Sequence, residues 1–190
     1  MNAIPIDLDL MTFQKALDSI DGTIEPHAGQ DGALLSTYFD AQYEVFQRFS
    51  PEVIGHMDLC RLYNPTLQLS KYPEALERAK WNILYAMEYG ALFEINAAAP
   101  RKNWETPHAG LDLLQIILEH GGHLTLSDDS HGSPTVGLNY ARIPEYLQRA
   151  GATELWFLEH SDTHNASGRN SRAVKMDRHW ADHPFWALFS

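Results

Sequence analysis

His123-Leu-Thr-Leu-Ser127, followed directly by Asp-Asp-Ser-His-Gly132, is an apolar, β-leaning run that stops abruptly at two carboxylates, a hydroxyl and an imidazole. Before it, Asp112 to His120 has the spacing of a compact amphipathic helix, closed by Gly121-Gly122. The order helix, glycine stop, strand, polar loop recurs on either side. Glu52-Val-Ile-Gly-His56 reads as a short buried strand and Ala91-Leu-Phe-Glu-Ile-Asn96 as a second. Between them Glu74 to Tyr89 carries Leu76, Ala79, Ile83, Leu84 and Met87 at helical spacing, with Pro73 where a helix accepts its first residue and Gly90 as the stop. Downstream, Ile143 to Ala150 is a helix ended by Gly151, and Glu154-Leu-Trp-Phe-Leu158 a fourth strand. Strands alternating with helices specify an α/β fold, a parallel sheet or barrel of βαβ units.

Right-handed crossovers place the C-terminal ends of parallel strands on one rim, where α/β proteins carry their sites. His56 ends the first strand, and Asn96 the second, with Arg101 and Lys102 in the loop beyond. Asp129 and His131 follow the third, and Glu159 and His160 the fourth. Asp129 and His131 flank a single residue, so a hard oxygen and a borderline nitrogen can converge on a divalent cation from one loop. The same pair could instead belong to a polar loop in which Asp128 or Asp129 satisfies backbone amides. His56 reads either as a rim ligand or as a histidine hydrogen-bonded at a strand end, and Arg101 as a phosphate-binding fork or a solvated loop cation. Asp162-Thr-His164 and Asp177-Arg-His179 repeat the Asp-x-His spacing in or near a polar tail, where a structural or solvent-facing role is expected. Glu94 falls mid-strand, and Cys60 has no activating neighbour in sequence.

Before residue 50 the pattern is helical, over Phe13 to Ile20 and Ala33 to Phe49, with no strand. After Asn165 the tail is polar to Arg172 and then aromatic, with Trp180, Phe185, Trp186 and Phe189 expected to pack back on the domain. A length of 190 residues suits one domain. The chain divides into a helical lead-in (1–50), βα units (51–160) and the tail (161–190). A net charge of −11 without a basic stripe argues against nucleic acid and anionic membranes, while a metal could still reverse the field locally for a small anionic substrate. One cysteine allows no intrachain disulfide, and no leader or membrane-spanning run is evident, so a cytoplasmic protein is expected.

Val53-Ile-Gly-His-Met-Asp-Leu-Cys-Arg-Leu-Tyr63, Leu92-Phe-Glu-Ile-Asn-Ala-Ala-Ala-Pro-Arg-Lys102 and Leu126-Ser-Asp-Asp-Ser-His-Gly132 resemble, in order and spacing, motifs of histidinol-phosphatases of the PHP (polymerase and histidinol phosphatase) type. Ser127 to Gly132 together with Val136-Gly-Leu-Asn-Tyr140 is most similar to the fungal branch. The resemblance runs from near Met1 to about residue 158. It implies the C-terminal portion of a distorted (β/α)7 barrel, and metal-dependent hydrolysis of L-histidinol phosphate to L-histidinol and phosphate in histidine biosynthesis. It further implies His56, Asp129 and His131 as ligands to Zn, Mn or Fe, with Asp129 and His131 in catalysis and Arg101 near the substrate phosphate. The family's opening His-x-His motif, and the glutamate and histidine that follow it, precede the segment similar to Ile4-Pro-Ile-Asp7. A catalytically incomplete remnant that binds a partner or phosphorylated ligand is therefore the alternative expectation. A nuclease chemistry is opposed by the acidic charge.

Overall fold

The computed structural model describes residues 6, 7, 9–20, 29–98 and 107–189. Its centre is a parallel sheet in the order β1 (Val53–Ile54), β2 (Leu92–Asn96), β3 (His123–Ser127). Ile54 pairs with Phe93, and Phe93 with Leu124. Strand side chains alternate between faces, so Phe93 and Ile95 lie on one side of β2, Glu94 and Asn96 on the other. The expected α/β architecture is thus present, and among the described residues the parallel sheet holds three strands and stays open.

The helices that cover it are α1 (Leu10–Asp18), α2 (Gly29–Phe49), α3 (Pro73–Glu88), α4 (Leu111–Glu119) and α5 (Ile143–Ala150). Pro73 occupies the first turn of α3, where its missing N–H has no partner to lose. Ala75, Ala79, Ile83 and Ala86 recur along one face of α3 and are fully buried. Alanines there let α2 approach closely, and Asn82 donates through Nδ2 to the Phe39 carbonyl (2.7 Å) and to Gln42 Oε1 (3.1 Å). Leu35, Phe39 and Phe46 supply the α2 side of that core. The stop glycines perform as read: Gly90 and Gly151 have φ of +84° and +77°.

The fourth strand departs from expectation. Trp156–His160 (β4) does not extend the parallel sheet but pairs antiparallel with Ser171–Lys175 (β5), Trp156 opposite Lys175 and His160 opposite Ser171. Part of the segment read as a polar tail is therefore a turn and a strand. Asn165 Oδ1 accepts from the backbone N–H groups of Ser167 (2.9 Å) and Arg169 (3.0 Å), reversing the chain. A short connection of this kind can only join antiparallel strands, because a parallel return needs a long crossover. Instead of backbone pairing, the Trp156 ring stacks on His123 of β3 at 3.7 Å. Glu159 and His160 consequently lie within the hairpin and not on the rim, and Glu159 pairs with Arg172.

The aromatic tail does pack back. Trp180 is 1% exposed, and its Nε1 donates to the Ala152 carbonyl at 2.8 Å. Among the described residues no helix is long and apolar enough to cross a membrane.

Candidate active site

At the rim, β1 is followed directly by Gly55-His56, and β3 ends in Ser127, followed by the Asp128–His131 loop. His56 and Asp129 both adopt left-handed backbone conformations, with φ of +49° and +48°, unusual outside glycine. The His56 N–H donates to Glu94 Oε2 (3.0 Å), and the Tyr38 hydroxyl donates to the His56 carbonyl (2.8 Å). The Asp129 N–H donates to Ser127 Oγ (3.2 Å). The two adjacent carboxylates divide their work. Asp128 accepts from the N–H groups of Ser130 and Gly137 and organises the loop. Burial opposes its charge, but those amide bonds outweigh it and hold its carboxyl below the ordinary range. Asp129 is turned outward instead, its Oδ1 lying 4.0 Å from His56 Nε2 and 3.7 Å from His131 Nε2. The His131 side chain is 88% exposed, against 34% for His56 and 32% for Asp129.

Behind this rim lies a buried polar cluster. Asp58 is fully buried and accepts from Arg61 Nη2 (2.5 Å), the Gly110 N–H (2.8 Å) and the His108 ring at Nδ1 (2.8 Å). Arg61 also makes a two-pronged pair with Asp112, at 2.9 and 3.0 Å. Burial alone would raise the Asp58 carboxyl, yet the His108 hydrogen bond and the Arg61 charge bring it far below the ordinary value. Cys60 is buried beside this cluster, and burial together with Asp58 pushes its thiol up, consistent with a non-catalytic cysteine.

His108, in the buried cluster behind the rim, was not singled out from the sequence. It lies in a stretch without periodicity and is brought to the site by an isolated antiparallel bridge to Asn96 and by its contact with Asp58. No spacing rule points to it. Asp162, His164, Asp177 and His179 are exposed. Arg101 and Lys102 lie outside the described residues.

No protein-family model matches the chain. A probable histidinol-phosphatase of Schizosaccharomyces pombe is 39% identical over 184 residues, an alignment covering 95% of the chain and 57% of the relative. The histidinol-phosphatase of Saccharomyces cerevisiae is 29% identical over 213 residues, covering 98% of the chain and 60% of the relative. The chain is homologous to histidinol-phosphatases. It spans somewhat under two thirds of the length of these relatives.

For a homologue of histidinol-phosphatases, the donor chemistry of the rim suits a divalent cation: two imidazole nitrogens and a carboxylate oxygen. The lining is acidic as well, since Tyr140 is pushed up to about 12 by burial and by the facing charges of Asp128 and Glu94. Two buried polar atoms there, His56 Nδ1 and Asn96 Nδ2, have no hydrogen-bond partner among the described residues. Such atoms are rare and call for an explanation, a bound ion or ligand being one. The assembly is nevertheless open. Among the described residues no three His, Cys, Asp or Glu side chains gather closely enough to hold a metal ion.

Proposed function

We propose that this chain carries the C-terminal part of a histidinol-phosphatase site, hydrolysing L-histidinol phosphate to L-histidinol and phosphate within a PHP-type (β/α)7 barrel. The observation that carries the reading is Asp129 Oδ1 lying between the Nε2 atoms of His56 and His131 on the rim, in a chain homologous to histidinol-phosphatases.

Phosphate-ester hydrolysis needs a nucleophilic water, positive charge around the transferring phosphoryl group and a proton for the departing oxygen. His56, Asp129 and His131, too widely spaced to enclose an ion by themselves, would contribute ligands to the divalent cation (Zn, Mn or Fe), which when bound supplies Lewis acidity and a more acidic water. Asp129 Oδ1 faces both imidazoles, 4.0 Å from His56 Nε2 and 3.7 Å from His131 Nε2. His131, almost fully exposed, acts from the side that an incoming phosphate monoester meets first. Arg101, by the resemblance of its motif, binds the phosphate through its planar fork. The resulting partners are a small phosphorylated substrate and neither nucleic acid nor membrane, in a cytoplasmic protein forming a single partial domain.

The open ligand set favours a second reading, a binding protein without turnover. Phosphate release from histidinol phosphate, with added Mn²⁺ or Zn²⁺, separates the two. Turnover that disappears in His131→Ala, with unchanged thermal stability because the side chain is exposed, supports the phosphatase. Turnover no greater than in that variant leaves the non-catalytic reading.

A further inference from the structure

A histidine that acts at a site is usually oriented by a hydrogen bond from its second ring nitrogen to a carboxylate or carbonyl. His56 departs from that arrangement, since its Nδ1 is buried and has no partner among the described residues. The carboxylate belongs instead to its neighbour. His108 is 2% exposed, and its Nδ1 lies 2.8 Å from Asp58 Oδ1. The other Asp58 oxygen is occupied by Arg61 and the Gly110 N–H, and an ionised carboxylate only accepts. His108 must therefore carry its proton on Nδ1, which fixes both tautomer and ring plane. Its backbone is held too, by the bridge to Asn96 at the end of β2. The His108 and His56 rings then meet edge to face, 5.8 Å between centroids at 80°.

We propose that His108 is a positioning residue: clamped by Asp58, it fixes the ring of His56 so that His56 Nε2 faces Asp129. The orientation that a carboxylate normally gives directly is passed on through ring contact. The geometric part stands on the fold alone; its catalytic consequence rests on the phosphatase reading.

The test uses the whole chain with ¹⁵N-labelled histidines. The wild type should show a slowly exchanging, deshielded Nδ1 proton on His108 and one set of His56 ring signals with a nuclear Overhauser contact to the Asp129 side chain. His108→Phe keeps a ring but cannot bond Asp58, and Asp58→Asn removes the charge of the clamp. Both should retain the circular dichroism of the fold while losing the His56–Asp129 contact. With histidinol phosphate and Mn²⁺, kcat should then fall about tenfold or more with KM nearly unchanged. His108→Asn, which still donates toward Asp58 but lacks the ring, should not restore the contact.

A wild type without the bonded proton overturns the proposal, whether or not the variants fold. So does a His56–Asp129 contact that survives in His108→Phe and Asp58→Asn, or one that is restored by His108→Asn. A wild type that shows the ring behaviour without hydrolysing the substrate removes the phosphatase reading and leaves the positioning role.

Discussion

Gly110 lies where a methyl group would stand 2.5 Å from Arg61 Nη2 and 3.2 Å from Asp58 Oδ2. Arg61 cannot swing aside without leaving Asp58 and Asp112, so Gly110→Ala should cost about 1–3 kcal/mol by overpacking, read as a lower urea midpoint. Cys60, buried beside the same cluster with its thiol pushed up, should resist iodoacetamide in the native state and react once urea unfolds the chain. Alkylation of the native protein at the rate of a free thiol would contradict its placement. At this scale the site was partly legible. Asp129 and His131 could be read because an apolar strand ends just before them. The division of labour between Asp128 and Asp129 could not, because it depends on which carboxylate the loop turns toward the Gly137 amide. His108 was hidden altogether, since Asp58 and His108 are 50 residues apart and meet only through tertiary structure.

Among the elements, the β4–β5 hairpin is fastened to the entry of β1 by ionic and amide contacts. Glu52 Oε1 accepts from Arg169 Nε, and from Asn165 Nδ2 at 2.7 Å, while Arg169 also reaches the Ser50 and Phe49 carbonyls. Burial resists the charge on Glu52, but the Arg169 and Asn165 bonds prevail and lower its carboxyl from 4.5 to about 2. Between those two values the unfolded chain binds a proton that the native chain does not, so stability rises with pH across this window. The contribution should be complete above about pH 4.5 and lost as pH falls toward 2. Glu52→Gln should remove it, so the wild-type minus variant difference in Tm should shrink between pH 6 and pH 3. A constant difference would refute the pairing. The βα alternation was legible because helical period and a glycine stop agree ahead of both β2 and β3. The hairpin was not, because Glu154 to Leu158 is as apolar as a parallel strand, and only the geometry of the Asn165 turn makes it antiparallel.

For the molecule as a whole, the aromatic tail closes the core as its composition implied. Trp180 is almost completely buried and packs edge-on to Trp186, with ring centroids 6.1 Å apart. Trp180→Ala should cost about 3–5 kcal/mol and lower Tm by several degrees, as seen by calorimetry. An unchanged Tm would mean that the tail does not seal the domain. The fold class was readable from alternation because burying one sheet face under helices leaves few other solutions. The number of strands in the sheet was not, since closure depends on contacts far apart in sequence. The Glu52–Arg169 clasp is such a contact, joining positions 117 residues apart. Bringing such distant positions together carries a loop-closure cost that helix pairs such as α2 and α3 largely escape. The hairpin should therefore dock late in folding, after the barrier has been crossed. In stopped-flow experiments Glu52→Gln should speed unfolding and leave the refolding rate nearly untouched, so the clasp governs how long the native state survives and not how quickly it is reached.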